Sequence, residues 1–440
     1  MPVRTVQSAA ALGVLLLILP GESTALDYPP RLPDGQPVAT FTGEDLLARP
    51  ATVTDAVVAR NPPTVDFLYY PCQTYAAPTW SAWGDGSVHG GVYYSAIGDH
   101  DGPRGNAFVH AYDPATRRLR LLTDVASVLA MPAGHYVPGK IHSRLQVASD
   151  GWLYYATHRG KTTVTTDEYH YKGDWILRTR PADGRTEVVA HGPVGKQCLP
   201  CSVLDPQRLV FYGGTQAGDR DDKRHLFFAY DLRARRVRQE GYGGPSRAIV
   251  LAQSTGRVYF APDQNGPLHR WDPAEDGPPK AIGPEVGLRA ASAETPDGYV
   301  YAVGPKSDPT LWRLDVATEK VERLGRAPVG TCTYVTTLDA DPTGRFLYYV
   351  PGAHGSSRED GAAVVQFDTR TRQKKVVAFL HPALKKRFGY TPLGTFSAAV
   401  GPKGDRLFIT WNGNLGGRKG RHLAWEACAL TVLHIPESER

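Results

Sequence analysis

The chain is 440 residues long and carries a formal net charge of +6, spread along its length. An excess this small and dispersed argues against a dedicated nucleic-acid binder, which would gather its basic residues on one face. With 46 Gly, 36 Pro, 22 Tyr and 8 Trp, the composition favours strands and turns, and long runs of helical apolar periodicity are missing.

In chain order, the first feature is a processing signal. Arg4 precedes an apolar run from Ala9 to Leu19, which ends at Pro20 and the small-residue site Ser23-Thr24-Ala25. This pattern predicts a signal peptide over residues 1–25, because the run is too short to span a membrane. The mature chain is then expected to be secreted or periplasmic, starting near Leu26. No Cys follows the cleavage site, and no other apolar stretch approaches the ~20 residues of a membrane span. Residues 26–63, with the Pro-rich segment Pro29 to Pro37, read as a leader.

From there the sequence repeats. Residues 81–99, 143–158, 202–215, 248–263, 290–304, 333–352 and 397–413 each hold two strand-like runs joined by a tight Gly- or Pro-containing turn. A second hairpin follows in register at 111–122, 177–189, 229–240, 270–282, 313–324 and 366–377. Five of these carry an Asp (Asp113, Asp231, Asp272, Asp315, Asp368) where a turn opens, placed to accept backbone N–H groups. They read as structural rather than catalytic acids.

Two hairpins per repeat make a four-stranded blade. The expected fold is all-β: a seven-bladed β-propeller occupying residues 64–440 as one domain, closed by N- and C-terminal strands. The last repeat lacks a fourth strand after Trp425, so residues 64–70 are the expected donor. A string of β-sandwiches would need linkers, and no composition break falls inside 70–436. The chain is expected to be a monomer.

Five cysteines cannot all pair within one chain. Ring closure would bring Cys72 near Cys428. Cys198 and Cys201 have the spacing of a redox or zinc half-site, but without a second such pair they read as a local disulfide or buried thiols. Cys332 has no evident partner.

In a propeller, first-strand starts and second-strand ends converge at one mouth of the central channel. The starts supply His142, Arg144, Gln197, Cys198, Arg247, Arg289, Tyr334 and Thr395. The ends supply His100, His158, Arg159, Thr215, Gln216, Asp263, Gln264, Lys306, His354 and Asn412. His and Arg dominate, which suits an anionic ligand better than a cation held by carboxylates. The segment 139–175 is densest: a hairpin around Asp150 and Gly151 should join His142 and Arg144 to His158 and Arg159. An insertion at 160–173 adds Tyr169, His170 and Tyr171, and insertions on rigid scaffolds often carry binding residues. The same histidines would serve equally as cross-strand packing. His354, in a Gly-rich loop, is a candidate ligand for a divalent metal.

This arrangement resembles the seven-bladed propeller polysaccharide lyases of the oligogalacturonide lyase and ulvan lyase type, in architecture over the whole ring and in motif at the His142/His158 hairpin and the Arg247 strand. The resemblance implies β-elimination of an acidic, uronate-containing glycan by histidines, a tyrosine and an arginine, in some members with a His-bound metal. It suggests His142 as base, His158 as acid, Arg247 and Arg289 as carboxylate ligands with Arg144 and Arg159 nearby, and Tyr169 or Tyr334 as accessory. Tyr212 and Tyr242 compete for the tyrosine role. The alternative expectation is a non-catalytic extracellular propeller that binds a glycan or a protein partner.

Overall fold

The computed structural model describes Met1 and residues 28–77, 79–101, 105–218, 224–245, 247–262, 266–275 and 277–440. Residues 2–25 of the expected signal peptide, Asp263 and Gln264 lie outside the described residues. Seven sheets of four or five strands form the ring, so the chain is a seven-bladed β-propeller. Among the described residues no helix is long and apolar enough to cross a membrane.

Blade one runs through Trp80–Ser81, Val92–Asp99, Ala107–Asp113 and Arg118–Asp124. Blade three is the most regular, with Gln197–Asp205, Val210–Ala217, Leu226–Asp231 and Arg236–Tyr242 in one antiparallel order. In blade two the inner strand is split into Lys140–Ile141 and Gln146–Val147, both paired with Leu153–His158. Most inner strands are shorter than the alternation suggests, because backbone beside a narrow channel bonds to side chains as well as to its neighbour. Asn412 shows this: its side chain bonds the N–H and the carbonyl of Ala82 in blade one, at 2.7 and 2.9 Å.

The turn aspartates act as expected. Asp231 accepts the N–H groups of Arg233 and Ala234, Asp315 those of Ala317 and Thr318, and Asp368 those of Arg370 and Thr371. Asp113 and Asp272 each accept the N–H two residues on. These backbone donors come first in holding the Asp113 and Asp315 carboxyls below the usual range. The turns lie at the face opposite the channel mouth described below.

Closure is a strand pairing. Thr64–Tyr69 pairs antiparallel with Ala427–His434, from Thr64 opposite His434 to Tyr69 opposite Ala429. Phe67 is fully buried there, stacked on Phe388 at 4.8 Å and beside Tyr390 at 5.3 Å. The leader does more than precede the ring. Ala39–Phe41 adds a fifth strand to blade seven, and Val57–Val58 pairs in parallel with Lys374–Phe379 at the edge of blade six. Glu439, near the C-terminus, accepts the N–H groups of Arg60 and Asn61 and pairs with Lys375.

The Cys72–Cys428 disulfide is not formed, and all five cysteines are free thiols. Both sulfur-bearing residues belong to one apolar cluster between blades seven and one. Gln73 takes the place beside the strand instead, accepting the Cys428 N–H at 2.6 Å and donating to its carbonyl at 2.8 Å. Cys198 and Cys201 are buried thiols on the inner strand of blade three, and burial pushes both up to about 12. The redox and zinc readings of their spacing gain nothing from this environment.

One buried ring, Phe67, and one amide, Gln73, support that closing pairing. Phe67→Ala should lower the unfolding free energy by about 3–5 kcal/mol, as for other buried aromatic truncations. Gln73→Ala should cost about 1–3 kcal/mol, because it leaves a buried N–H and carbonyl without their partner. Chemical denaturation checks both, and a wild-type midpoint in either variant would remove that group from the closure.

Candidate functional site

The channel mouth is organised around Trp83. Its indole is in ring contact with Phe396 at 4.8 Å, His100 at 5.2 Å, His354 at 5.5 Å, Trp425 at 5.7 Å and His142 at 5.8 Å. Lys140 Nζ lies over the same ring, 4.6 Å from its centre. Two glycines allow this convergence. A Cβ at Gly84 would meet the Ser143 carbonyl at 2.3 Å, so only glycine lets blade one lie this close to the His142 segment. A Cβ at Gly394 would meet Ala353 Cα at 2.7 Å, and that approach carries the His354 loop over the mouth.

The predicted hairpin forms. Lys140 pairs with His158 across the ladder, and the His142 and His158 rings lie 5.3 Å apart. His142 is 8 % exposed and His158 3 % exposed. Nδ1 of His158 lies 2.8 Å from the Arg159 carbonyl, which can only accept, so this nitrogen carries the proton and Nε2 keeps a lone pair. Arg159 itself donates to Cys198 Sγ at 2.6 Å and to the Ala217 carbonyl. Its guanidinium is thus partly spent on blade three.

The cations press on one another. Burial first, then Arg247, Lys140 and Arg289, drives the His142 imidazole well below its ordinary value. Burial, Lys140 and Arg159 do the same to His158. Lys140 falls to about 7 through burial and then the charges of Arg159 and Arg247. Arg247 is lowered by burial and by Arg289. At neutral pH the mouth holds uncharged imidazoles inside a positive field, an environment that favours an incoming anion.

Arg289 is 4 % exposed; its Nε donates to the Tyr334 hydroxyl oxygen at 2.8 Å. The Tyr334 ring lies 5.5 Å from that of His354. A cavity of about 40 Å³ lies inside the channel, lined by Trp83, Asp85, His142, Arg144, Ser202, Arg247, Arg289, Thr336 and Phe396 among others. Beside the mouth a groove of about 930 Å³ opens along the loops of blades five and six, lined by Lys306, Ser307, Thr331, Thr333, Tyr334, His354 and Glu359.

Of the candidates named from sequence, His100, His142, His158, Arg159, Arg247, Arg289, Tyr334 and His354 come together at this mouth. Arg144 faces the inner channel, where its charge acts on Asp85 and Asp339. Tyr169 packs on the core between blades one and two, and its carbonyl accepts the Tyr136 N–H. Tyr212 is buried between blades three and four. The insertion at 160–173 is anchored rather than open: Tyr171 is buried, with its hydroxyl 3.4 Å from Asp174.

Trp83, Lys140, Phe396 and Trp425 are site residues that the sequence reading missed. Trp83 stands in the gap of blade one's inner strand, between Trp80–Ser81 and Ser87–His89. For the expected metal, among the described residues no three His, Cys, Asp or Glu side chains are placed to hold an ion. His354 is instead ringed by aromatics and held down to about 4, by burial first and then by Arg289, Arg247, Lys306 and Lys140. These neighbours do not fit a cation.

No protein-family model matches the sequence. No curated protein matches it either. Many solved structures share the fold. One is a chain from a crystal structure of the mitotic checkpoint complex, 12 % identical, covering 87 % of this chain and 94 % of its own, with a TM-score of 0.51. At that identity the likeness shows the propeller fold alone.

The buried histidines give a signed pH dependence. His110 is fully buried edge-on to Tyr70, and burial lowers it to about 3. His100, His142, His158, His191, His354 and His381 are also lowered. Each binds fewer protons folded than unfolded, so the stability it contributes is present above about 6.5 and is lost as pH falls. Asp85 and Asp174, raised to about 6 by burial, and Asp339 act oppositely and favour the fold at low pH. Seven imidazoles outweigh three carboxyls, so the melting temperature should fall between pH 7 and pH 5. His110→Leu should flatten that slope; a melting temperature that rises on acidification would contradict the balance.

Proposed function

We propose that the mouth binds an acidic, uronate-containing glycan and cleaves it by β-elimination, in a protein exported from the cell. The observation that carries this reading is the convergence of Lys140, Arg247 and Arg289 on neutral imidazoles and aromatic rings at one end of the channel. Aromatic faces suit the apolar side of a sugar ring, and guanidinium groups suit its carboxylate. The adjoining groove, with Lys306 and several hydroxyls, suits the rest of a glycan chain.

In this scheme Arg247 and Arg289, aided by Lys140, hold the carboxylate and stabilise the enolate-like charge that builds as the α-proton leaves. His142 accepts that proton. The electron pair forms the new C=C bond, the bond to the neighbouring sugar oxygen breaks, and that oxygen takes a proton from Tyr334. Arg289 donates to the Tyr334 oxygen, so the phenolic O–H is turned toward another acceptor. Tyr334 therefore replaces His158 as the acid, since His158 keeps a lone pair rather than a proton on its free nitrogen. His158 backs His142 instead. An anionic ligand also raises the depressed imidazole, restoring its basicity when substrate is bound.

The second reading is a propeller that binds an acidic glycan or a protein partner at this mouth without turnover. It draws support from the closeness of the His142 ring to its packing neighbours and from a fold neighbour solved as part of a protein complex. The two readings part on one assay: the ultraviolet absorbance of unsaturated uronate during incubation with uronic-acid oligosaccharides and polysaccharides. Elimination predicts a rise that falls by about 10²–10⁴ in His142→Ala and in Tyr334→Phe, the usual range for a lost acid or base. Binding without any rise would leave the second reading.

A further inference from the structure

The ~40 Å³ cavity lined by His142 is walled by the rings of Trp83 and Phe396 and by the polar side chains of Asp85, Arg144, Ser202 and Thr336. Four buried polar atoms from its lining have no partner among the described residues: His142 Nδ1, Asp85 Oδ1, Arg144 Nε and Ser202 Oγ. They come from three blades, so no one strand's geometry accounts for them. Buried polar atoms are nearly always satisfied, and a polar cavity of this size holds about two or three waters. An apolar void would stay dry, but Asp85, Arg144, Ser202 and Thr336 make this one a site for ordered water.

We propose that water in this cavity joins His142 Nδ1 to the Asp85 carboxylate, making Asp85 a positioning residue for His142. The link keeps the imidazole proton on Nδ1 and leaves the Nε2 lone pair for the mouth, the tautomer that a base requires. It rests on the reading of His142 as the base, but the coupling itself is independent of turnover. The groups that face the pair come from all sides of the channel. Arg144, Arg289 and Asp339 act on Asp85, and Thr337 hydrogen-bonds its carboxylate. Arg247, Lys140 and Arg289 act on His142. Asp85 is raised to about 6 by burial first, so its charge changes within an accessible pH range.

The test is the ¹⁵N spectrum of His142 in the full-length protein, assigned with His142→Gln and followed from pH 4.5 to 7.5. Wild type should show the Nδ1–H tautomer and a shift with a midpoint near that of Asp85. Asp85→Asn should remove that midpoint and lower the Nδ1–H fraction. Ser202→Ala, which takes away only one lining hydroxyl, should shift the same signal by a smaller amount and serves if Asp85→Asn fails to fold. Where eliminative activity is measured, Asp85→Asn should also move the acid limb of the pH–rate profile to lower pH, since imidazolium loses a stabilising charge. A merely structural Asp85 would lower the rate without moving the limb. A His142 signal that ignores both substitutions overturns the proposal. An intact spectroscopic coupling without uronate turnover would instead leave this link standing and sink the lyase reading.

Discussion

Everything at the mouth depends on the pairing of Thr64–Tyr69 with Ala427–His434. A propeller blade buries its faces only against its neighbours, so an open ring would leave blades one and seven each with a bare side. Closure places blade seven, with Phe396, against blade one, with Trp83. It also sets His354 from blade six and Trp425 from blade seven against that indole. Trp83 is thus a consequence of the ring as much as a site residue. The leader strands and Glu439 reinforce the seam from outside by tying both chain ends to blades six and seven.

The second consequence is electrostatic. Seven first strands aim their starts at one axis, and here blades two, four and five supply Lys140, Arg247 and Arg289. In water such a set would be screened; inside the channel burial first, and then neighbouring cations, lower Lys140 and Arg247 and hold the His142 imidazole neutral. Crowding like charges in a desolvated channel costs stability. The channel also holds two buried carboxyls, Asp85 and Asp339, both acted on by the charge of Arg144.

The fold was legible because period-two strands, turn glycines and the recurring turn aspartate all report local geometry. Residues 64–70 could be named as the closing strand because the last repeat was visibly one strand short. The site was only half legible. His142, His158, Arg247, Arg289 and Tyr334 followed from the rule about strand starts and ends. Trp83 escaped because blade one is a degenerate copy whose inner strand is split into Trp80–Ser81 and Ser87–His89, with Trp83 in the gap between them. Phe396 sat beside Thr395, which was named, but a bulge between Thr395 and Ser397 turns its ring inward. Tyr169 was misplaced because an insertion looks free in sequence, whereas this one is pinned by Tyr171 against the blade core. The Cys72–Cys428 pairing likewise depended on a side chain, Gln73, whose bond to the closing strand has no sequence signature.

The mouth is a desolvated cluster of cations and neutral imidazoles, an environment that favours an anion. Calorimetric titration of an oligouronate into the protein at pH 7, repeated in buffers of different ionisation enthalpy, measures that preference directly. An anion seated beside Lys140 and the imidazoles must raise their proton affinity, so binding should take up protons and weaken as pH rises above 7. Binding with no proton uptake, or with the same affinity at pH 6 and pH 8, would contradict the account.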